Sequence, residues 1–200
     1  MGFFSSIQKY HAAGEEQHRS NVEQYGRAFR SLYTEAKLAS LHQQVDVTDD
    51  AGQVVYQTSS KIVSIRGKTD VMDAAGNLVA HIEKKPISLH EKHIVTMADG
   101  RQFTLSNQLF HIVKDITDIP ELGWQIQGNV MGLNFTLLDQ NDDPVAVIGH
   151  KMISLHDRYS MDIYQPQHER IVVAVVIALR KMLNDRRENA MSSSHSDSDN

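Results

Sequence analysis

Lys151-Met152-Ile153-Ser154-Leu155-His156 is a hexapeptide that the chain has used three times before. It stands earlier as Lys37-Leu38-Ala39-Ser40-Leu41-His42, as Lys61-Ile62-Val63-Ser64-Ile65-Arg66 and as Lys85-Pro86-Ile87-Ser88-Leu89-His90. The first intervals are 24 residues each (37 to 61, 61 to 85), and the 66 residues from 85 to 151 divide into three steps of 22. Weaker copies stand where those steps land, at Asn107-Gln108-Leu109-Phe110 and Asn129-Val130-Met131-Gly132-Leu133. Six units at a near-constant period mark one supersecondary element, repeated.

Between the motifs lie turn signals: Asp49-Asp50-Ala51-Gly52, Asp73-Ala74-Ala75-Gly76, Asp99-Gly100 and Gln140-Asn141-Asp142-Asp143-Pro144. Asp and Asn bond their own backbone and tolerate left-handed conformations, and Gly supplies positive φ, so these are hairpin-loop chemistries. The flanking segments alternate with period two. Tyr159, Met161 and Ile163 are separated by Ser160 and Asp162; Leu78, Ala80 and Ile82 by Val79 and His81; Trp124 and Ile126 by Gln125. That alternation belongs to half-buried strands. Two strands per unit predict a mainly β fold of about twelve antiparallel strands, closed into a barrel so that no edge is left exposed.

A ring of that size is too wide for its own side chains to fill. Ile171 to Leu179 is an unbroken apolar run, Ile-Val-Val-Ala-Val-Val-Ile-Ala-Leu, bounded by Arg170 and Arg180. A helix from Gln167 to about Arg187 that is apolar all round must be surrounded by protein or lipid, and the run is too short to span a bilayer. It is predicted to thread the barrel as a central C-terminal helix. A buried strand competes, because Val and Ile favour sheets, but Arg180-Lys181-Met182-Leu183-Asn184-Asp185 continues helically.

Composition narrows the function classes. The chain has 200 residues, no cysteine and a formal net charge of −5. Absent cysteine excludes disulfides, thiol nucleophiles and thiolate metal sites, and fits a reducing cytoplasm. The acidic balance argues against broad nucleic-acid binding, which leaves a basic footprint. Met1 to Ile7 has neither a basic start nor a long apolar run, so no secretory signal is expected.

Two stretches then carry a resemblance. Trp124-Gln125-Ile126-Gln127-Gly128-Asn129-Val130-Met131-Gly132-Leu133-Asn134-Phe135, and Ile153-Ser154-Leu155-His156-Asp157-Arg158-Tyr159 followed by the apolar helix, resemble the LURP-one-related family of the tubby C-terminal-like superfamily. The resemblance covers roughly residues 31 to 185. It implies a twelve-stranded barrel around a central hydrophobic helix, in agreement with the repeat. Relatives in the wider superfamily include tubby proteins, which bind phosphoinositides, and phospholipid scramblases. The domain organisation expected is an N-terminal extension (1–30, helical or loose), the barrel with its helix (31–187) and a low-complexity, disordered tail (188–200).

In an up-and-down barrel alternate turns share an end. The Lys-x-x-Ser turns should gather Lys61, Arg66, Lys68, Lys84, Lys85, Lys92, Lys151 and Arg158 at one rim, and the helix should emerge there with Arg180, Lys181, Arg186 and Arg187. A basic residue recurs seven places after the motif lysine in three units: Lys68, Lys92 and Arg158. The opposite rim should collect Asp49, Asp50, Asp73, Asp99, Asp139, Asp142 and Asp143. Lys61, Arg66, Lys68, Lys85, Lys92, Lys151 and Arg158 are the candidate lipid-binding set, because ammonium and guanidinium groups hold headgroup phosphates. The competing account is that lysines at strand ends keep edges soluble.

Other signals are weaker. His90 and His93 are three apart but fall at a turn, while His81, His111 and His150 are isolated, so no metal or other cofactor is expected. Ser154-Leu155-His156-Asp157 has the letters of a catalytic triad, yet neighbours in sequence cannot face one another as nucleophile, base and orienter. Gly2 with Ser6 loosely fits a myristoylation pattern. The resulting expectation is a non-catalytic binding or scaffold protein of the cytoplasm, peripheral at the membrane, docking anionic lipid by its basic rim. The alternatives are a protein-interaction module and a lipid-moving, scramblase-like protein.

Overall fold

The computed structural model describes residues 19–36, 45–59, 67–85, 92–106, 116–153 and 156–194. A short helix, α1 (residues 19–25), precedes twelve strands. They are β1 (Arg30–Ala36), β2 (Val45–Thr48), β3 (Val54–Ser59), β4 (Lys68–Asp73), β5 (Leu78–Lys85), β6 (Lys92–Met97), β7 (Gln102–Ser106), β8 (Ile116–Ile119), β9 (Trp124–Asn129), β10 (Asn134–Leu138), β11 (Pro144–Ile153) and β12 (His156–Ile163). A 3-10 turn at Pro166–His168 leads into helix α2 (Glu169–Ser194). Every sequence neighbour from β1 to β7 and from β8 to β12 pairs antiparallel, and β1 also pairs with β12. The result is the expected up-and-down barrel, with its seam between β7 and β8. No ladder joins those two strands among the described residues. The sequence reading had the ring fully closed; the structure has it closed but for this seam.

The wall obeys the alternation. Leu32, Val47, Tyr56, Val71, Ala80, Ile82, Val95, Phe103, Leu105, Ile126, Phe135, Ile148, Met161 and Ile163 are buried in one core. At its centre stand Ile171 to Leu179 of α2, none more than 3% exposed. Val and Ile lose side-chain freedom in a helix. Full burial, at about 1.5–3 kcal/mol per Val, Ile or Leu side chain, overrides that weak preference. Proline at the 3-10 turn suits a helical entry, since its missing N–H would have no partner there. The helix runs to Ser194, past the Arg187 expected as its end.

One inward assignment was wrong. Leu78 is 48% exposed and Val79 is buried, because the β4–β5 ladder shifts register between Val71 and Met72. Such a bulge moves a side chain to the other face of the sheet. The β8–β9 turn, Pro120-Glu121-Leu122-Gly123, was not singled out from sequence. It carries the familiar signals, proline early and a glycine at φ +65°. Gly128 in β9 has a firmer requirement: at φ +119°, a Cβ would lie 2.9 Å from the Asn134 carbonyl oxygen.

The turns between β2 and β3, β4 and β5, and β10 and β11 have one design. The N–H of Asp49, Asp73 and Asp139 donates to the carbonyl of Gln53, Asn77 and Asp143 respectively, at 2.9–3.0 Å. Each carboxylate also accepts from backbone N–H groups two and four residues on. The left-handed position is held by Gly52 and Gly76 in the first two turns and by Asp142, at φ 61°, in the third.

Candidate functional site

Up-and-down order fixes which loops share an end. The β1–β2, β3–β4, β5–β6, β7–β8, β9–β10 and β11–β12 connections lie at one rim, which is where all six motif copies fall. The β2–β3, β4–β5, β6–β7, β8–β9 and β10–β11 turns lie at the other. At that second rim Asp49, Asp73 and Asp139 brace their own loops. The backbone N–H and side-chain amide of Asn77 hold the Asp73 carboxyl below its ordinary range, and Arg101 does the same for Asp99.

At the first rim the seven-residue recurrence acquires a geometric meaning. Lys85 and Lys92 are direct cross-strand partners at the mouth of the β5–β6 hairpin, and both are exposed. Lys151 and Arg158 are direct partners on β11 and β12. Two separate hairpins thus set basic residues at paired strand positions at the same end of the barrel, a register that is unfavourable in a bare ladder. Lys68 differs, because it faces Glu83 across β4–β5 and pairs with it at 3.4 Å. Lys61 and Arg66 lie outside the described residues, as do residues 1–18 with Gly2, Ser154 of the triad-like string, and residues 195–200 of the tail. The structure places Lys68, Lys85 and Lys92 on the neighbouring strands β4, β5 and β6, whereas Lys151 and Arg158 stand at the same rim on β11 and β12, across the ring in the strand order.

The helix emerges at this rim. Lys84, the inward neighbour of Lys85, reaches Asp185 of α2 at 3.2 Å. Lys181 lies 3.9 Å and His93 3.7 Å from the same carboxylate. His93 is fully buried. One turn deeper, Arg180 is only 7% exposed; its Nη1 donates to Thr34 Oγ1 at 3.0 Å, and its guanidinium lies 5.2 Å from the Tyr159 ring centre. Arg186 approaches Met131 of the β9–β10 turn, Nη1 to Sδ 3.9 Å. The sequence reading set His93 at a turn and gave Asp185 no role beyond continuing the helix; the structure puts His93 within β6, its side chain buried. Their signal was a polar residue at a core-facing position of each element, as also at Thr34, Thr58 and Thr69, all buried. His81, isolated in sequence, pairs with Asp70 across β4–β5. Among the described residues no group of three His, Asp or Glu side chains comes together that could hold a metal ion.

The model of the family described as LURP-one-related matches residues 30–180, from the first barrel strand into the central helix. The chain belongs to the LURP-one-related family. A LURP-one-related barrel is thus what the repeat, the strand order and the family model all describe. Among solved structures, the X-ray structure of a protein from Arabidopsis thaliana is similar in fold, with a TM-score of 0.50 at 12% identity, covering 82% of this chain and 95% of that one. At that identity the likeness concerns the fold. No curated protein matches significantly. No helix of the described residues is long and apolar enough to cross a membrane.

Proposed function

We propose that this LURP-one-related protein is a non-catalytic binding protein that docks on anionic phospholipid headgroups through the rim carrying the Lys-x-x-Ser turns. The observation that carries the reading is the opposition of Lys85 to Lys92 and of Lys151 to Arg158 in register. Like charges so placed cost roughly 0.2–1 kcal/mol per pair in the free protein. A phosphate bridging them reverses that sign, since each cation then faces an anion. Lys84 of β5, with Lys181 and Arg186 of the emerging helix, adds positive charge at the same rim, offset by the carboxylates of Asp185 and Glu83. Non-catalytic binding suits an interior filled by Ile171 to Leu179. This reading places the protein in the cytoplasm, peripheral at the membrane.

A second reading rests on the seam. β8 is an edge strand, and Ile116 on it is 48% exposed, so a protein partner could add a strand there. Co-sedimentation with vesicles of neutral lipid, and of neutral plus anionic lipid, at low and physiological salt, separates the two. Rim docking requires salt-sensitive binding to the anionic vesicles that disappears in Lys68→Glu/Lys92→Glu/Arg158→Glu. Absence of vesicle binding at either salt overturns it in favour of the protein partner.

A further inference from the structure

Beside the rim, and inside the barrel mouth, a partly enclosed cavity of about 40 Å³ lies between α2 and strands β2, β3 and β4. Its walls are Val45, Thr58, Thr69, Ile177, Arg180, Lys181 and Asn184. The polar part of this lining is rich in donors: a guanidinium, an ammonium, two hydroxyls and a side-chain amide. Thr58 Oγ1 already accepts from the Val45 N–H at 2.8 Å, which directs the hydroxyl proton to another acceptor. Arg180 is positioned by Thr34 and Tyr159, so its planar fork is held in place before any ligand arrives.

We infer that this cavity is a binding site for a single phosphate group, held by Arg180, Lys181, Thr58, Thr69 and Asn184. The volume accommodates about three water molecules, so it would seat three of the four oxygens of one phosphate, with the fourth toward the opening. Two adjacent cations, one nearly buried and the other with a side chain 17% exposed, line it where the apolar run of α2 ends. Asp185 lies 3.9 Å from Lys181 and is shared with Lys84. Hydroxyls at Thr58 and Thr69 on the strands opposite give donors from the far wall, which suits a tetrahedral oxyanion better than a flat carboxylate. The site is separate from the lysine pairs of the rim and does not depend on their binding lipid.

The test titrates the full chain with inorganic phosphate and with glycerol 3-phosphate at constant ionic strength, balanced by chloride, reading melting temperature and calorimetric heat. A parallel arm uses vesicles of phosphatidylcholine with and without phosphatidic acid. A saturable response to phosphate or glycerol 3-phosphate supports the site with a free phosphate as ligand. A response to phosphatidic acid vesicles alone supports it with a lipid headgroup, provided Thr69→Val abolishes that response. In either case Lys181→Met and Thr69→Val weaken binding by roughly tenfold or more, the factor expected for one hydrogen bond to a charged group. Thr69→Val nearly keeps the side chain's shape, and an unchanged melting temperature of the unliganded variant separates lost binding from lost fold. Lys85→Gln/Lys92→Gln leaves phosphate affinity unchanged even where it abolishes vesicle binding, so the rim and the cavity can fail separately. No saturable response to any phosphate probe, or one that Lys181→Met and Thr69→Val leave intact, overturns the inference.

Discussion

Tyr56 Oη donates to Glu169 Oε1 at 2.7 Å, tying the wall of the barrel to the first residue of its central helix. Arg30 Nη1 donates to the same oxygen at 3.2 Å, so one carboxylate joins β1, β3 and α2. Burial, together with the carboxylate beside it, pushes the Tyr56 hydroxyl well above its ordinary pKa.

Removing that hydroxyl isolates the contribution. Tyr56→Phe keeps the buried ring and loses the bond, so unfolding free energy should drop by about 1.5–3 kcal/mol, the range for hydrogen bonds to charged groups. Urea denaturation of the two proteins measures it. A difference near zero would mean that Arg30 alone holds Glu169.

The middle of the helix lies in the apolar core. Val175 is 0% exposed there, in one cluster with the buried strand residues. Val175→Asp buries an unpaired carboxylate, costing several kcal/mol out of a total stability of about 5–15 kcal/mol. No cooperative melting transition is expected in circular dichroism, whereas Val175→Ala should retain one at a lower temperature. An aspartate variant that melts like the parent would remove the helix from the core.

A third variant should stabilise the protein. Asp142 occupies the left-handed position that Gly52 and Gly76 fill in the matching turns. Asp142→Gly relieves that conformation and should raise stability by about 0.5–1 kcal/mol, less whatever freedom glycine adds to the unfolded chain. The melting temperature reports the sign.

Acid should loosen the second rim, that of the aspartate turns. Asp73 and Asp99 have folded pKa values below the ordinary 3.8. A depressed folded value means stability that is present above the unfolded pKa and is lost as pH falls through the folded one. Melting temperature should therefore decline from about pH 4 downward, and Asp73→Asn should be less stable at neutral pH with a shallower decline. Parallel declines would exclude Asp73 as a contributor.

Much of the fold was legible because its signals are local. The Asp-to-Gly loops, the alternation around Met161 and the apolar run at Ile171 each sit within a few residues. The seven-place spacing of Lys85 and Lys92 was visible too, but only the register shows that it makes them face each other. Leu78 misled because a bulge depends on its partner strand, which β5 alone does not specify. The mouth cavity was illegible for the same reason: Thr58, Thr69 and Lys181 meet through tertiary packing. The hint available was hydroxyls standing at positions where the period called for aliphatic side chains.

Pairing of Arg30 with Ile163 sets a schedule for synthesis. The first strand emerges from the ribosome about 130 residues before the strand that completes its ladder, and the helix that fills the barrel comes later still (Glu169 onward). Until then the growing chain has hairpins but nothing to wrap around. Folding must therefore wait for that helix, and with so many distant contacts it should be slow. Truncation before Ile171 would release a chain with an apolar inner face and no plug, a substrate for chaperones rather than a smaller barrel.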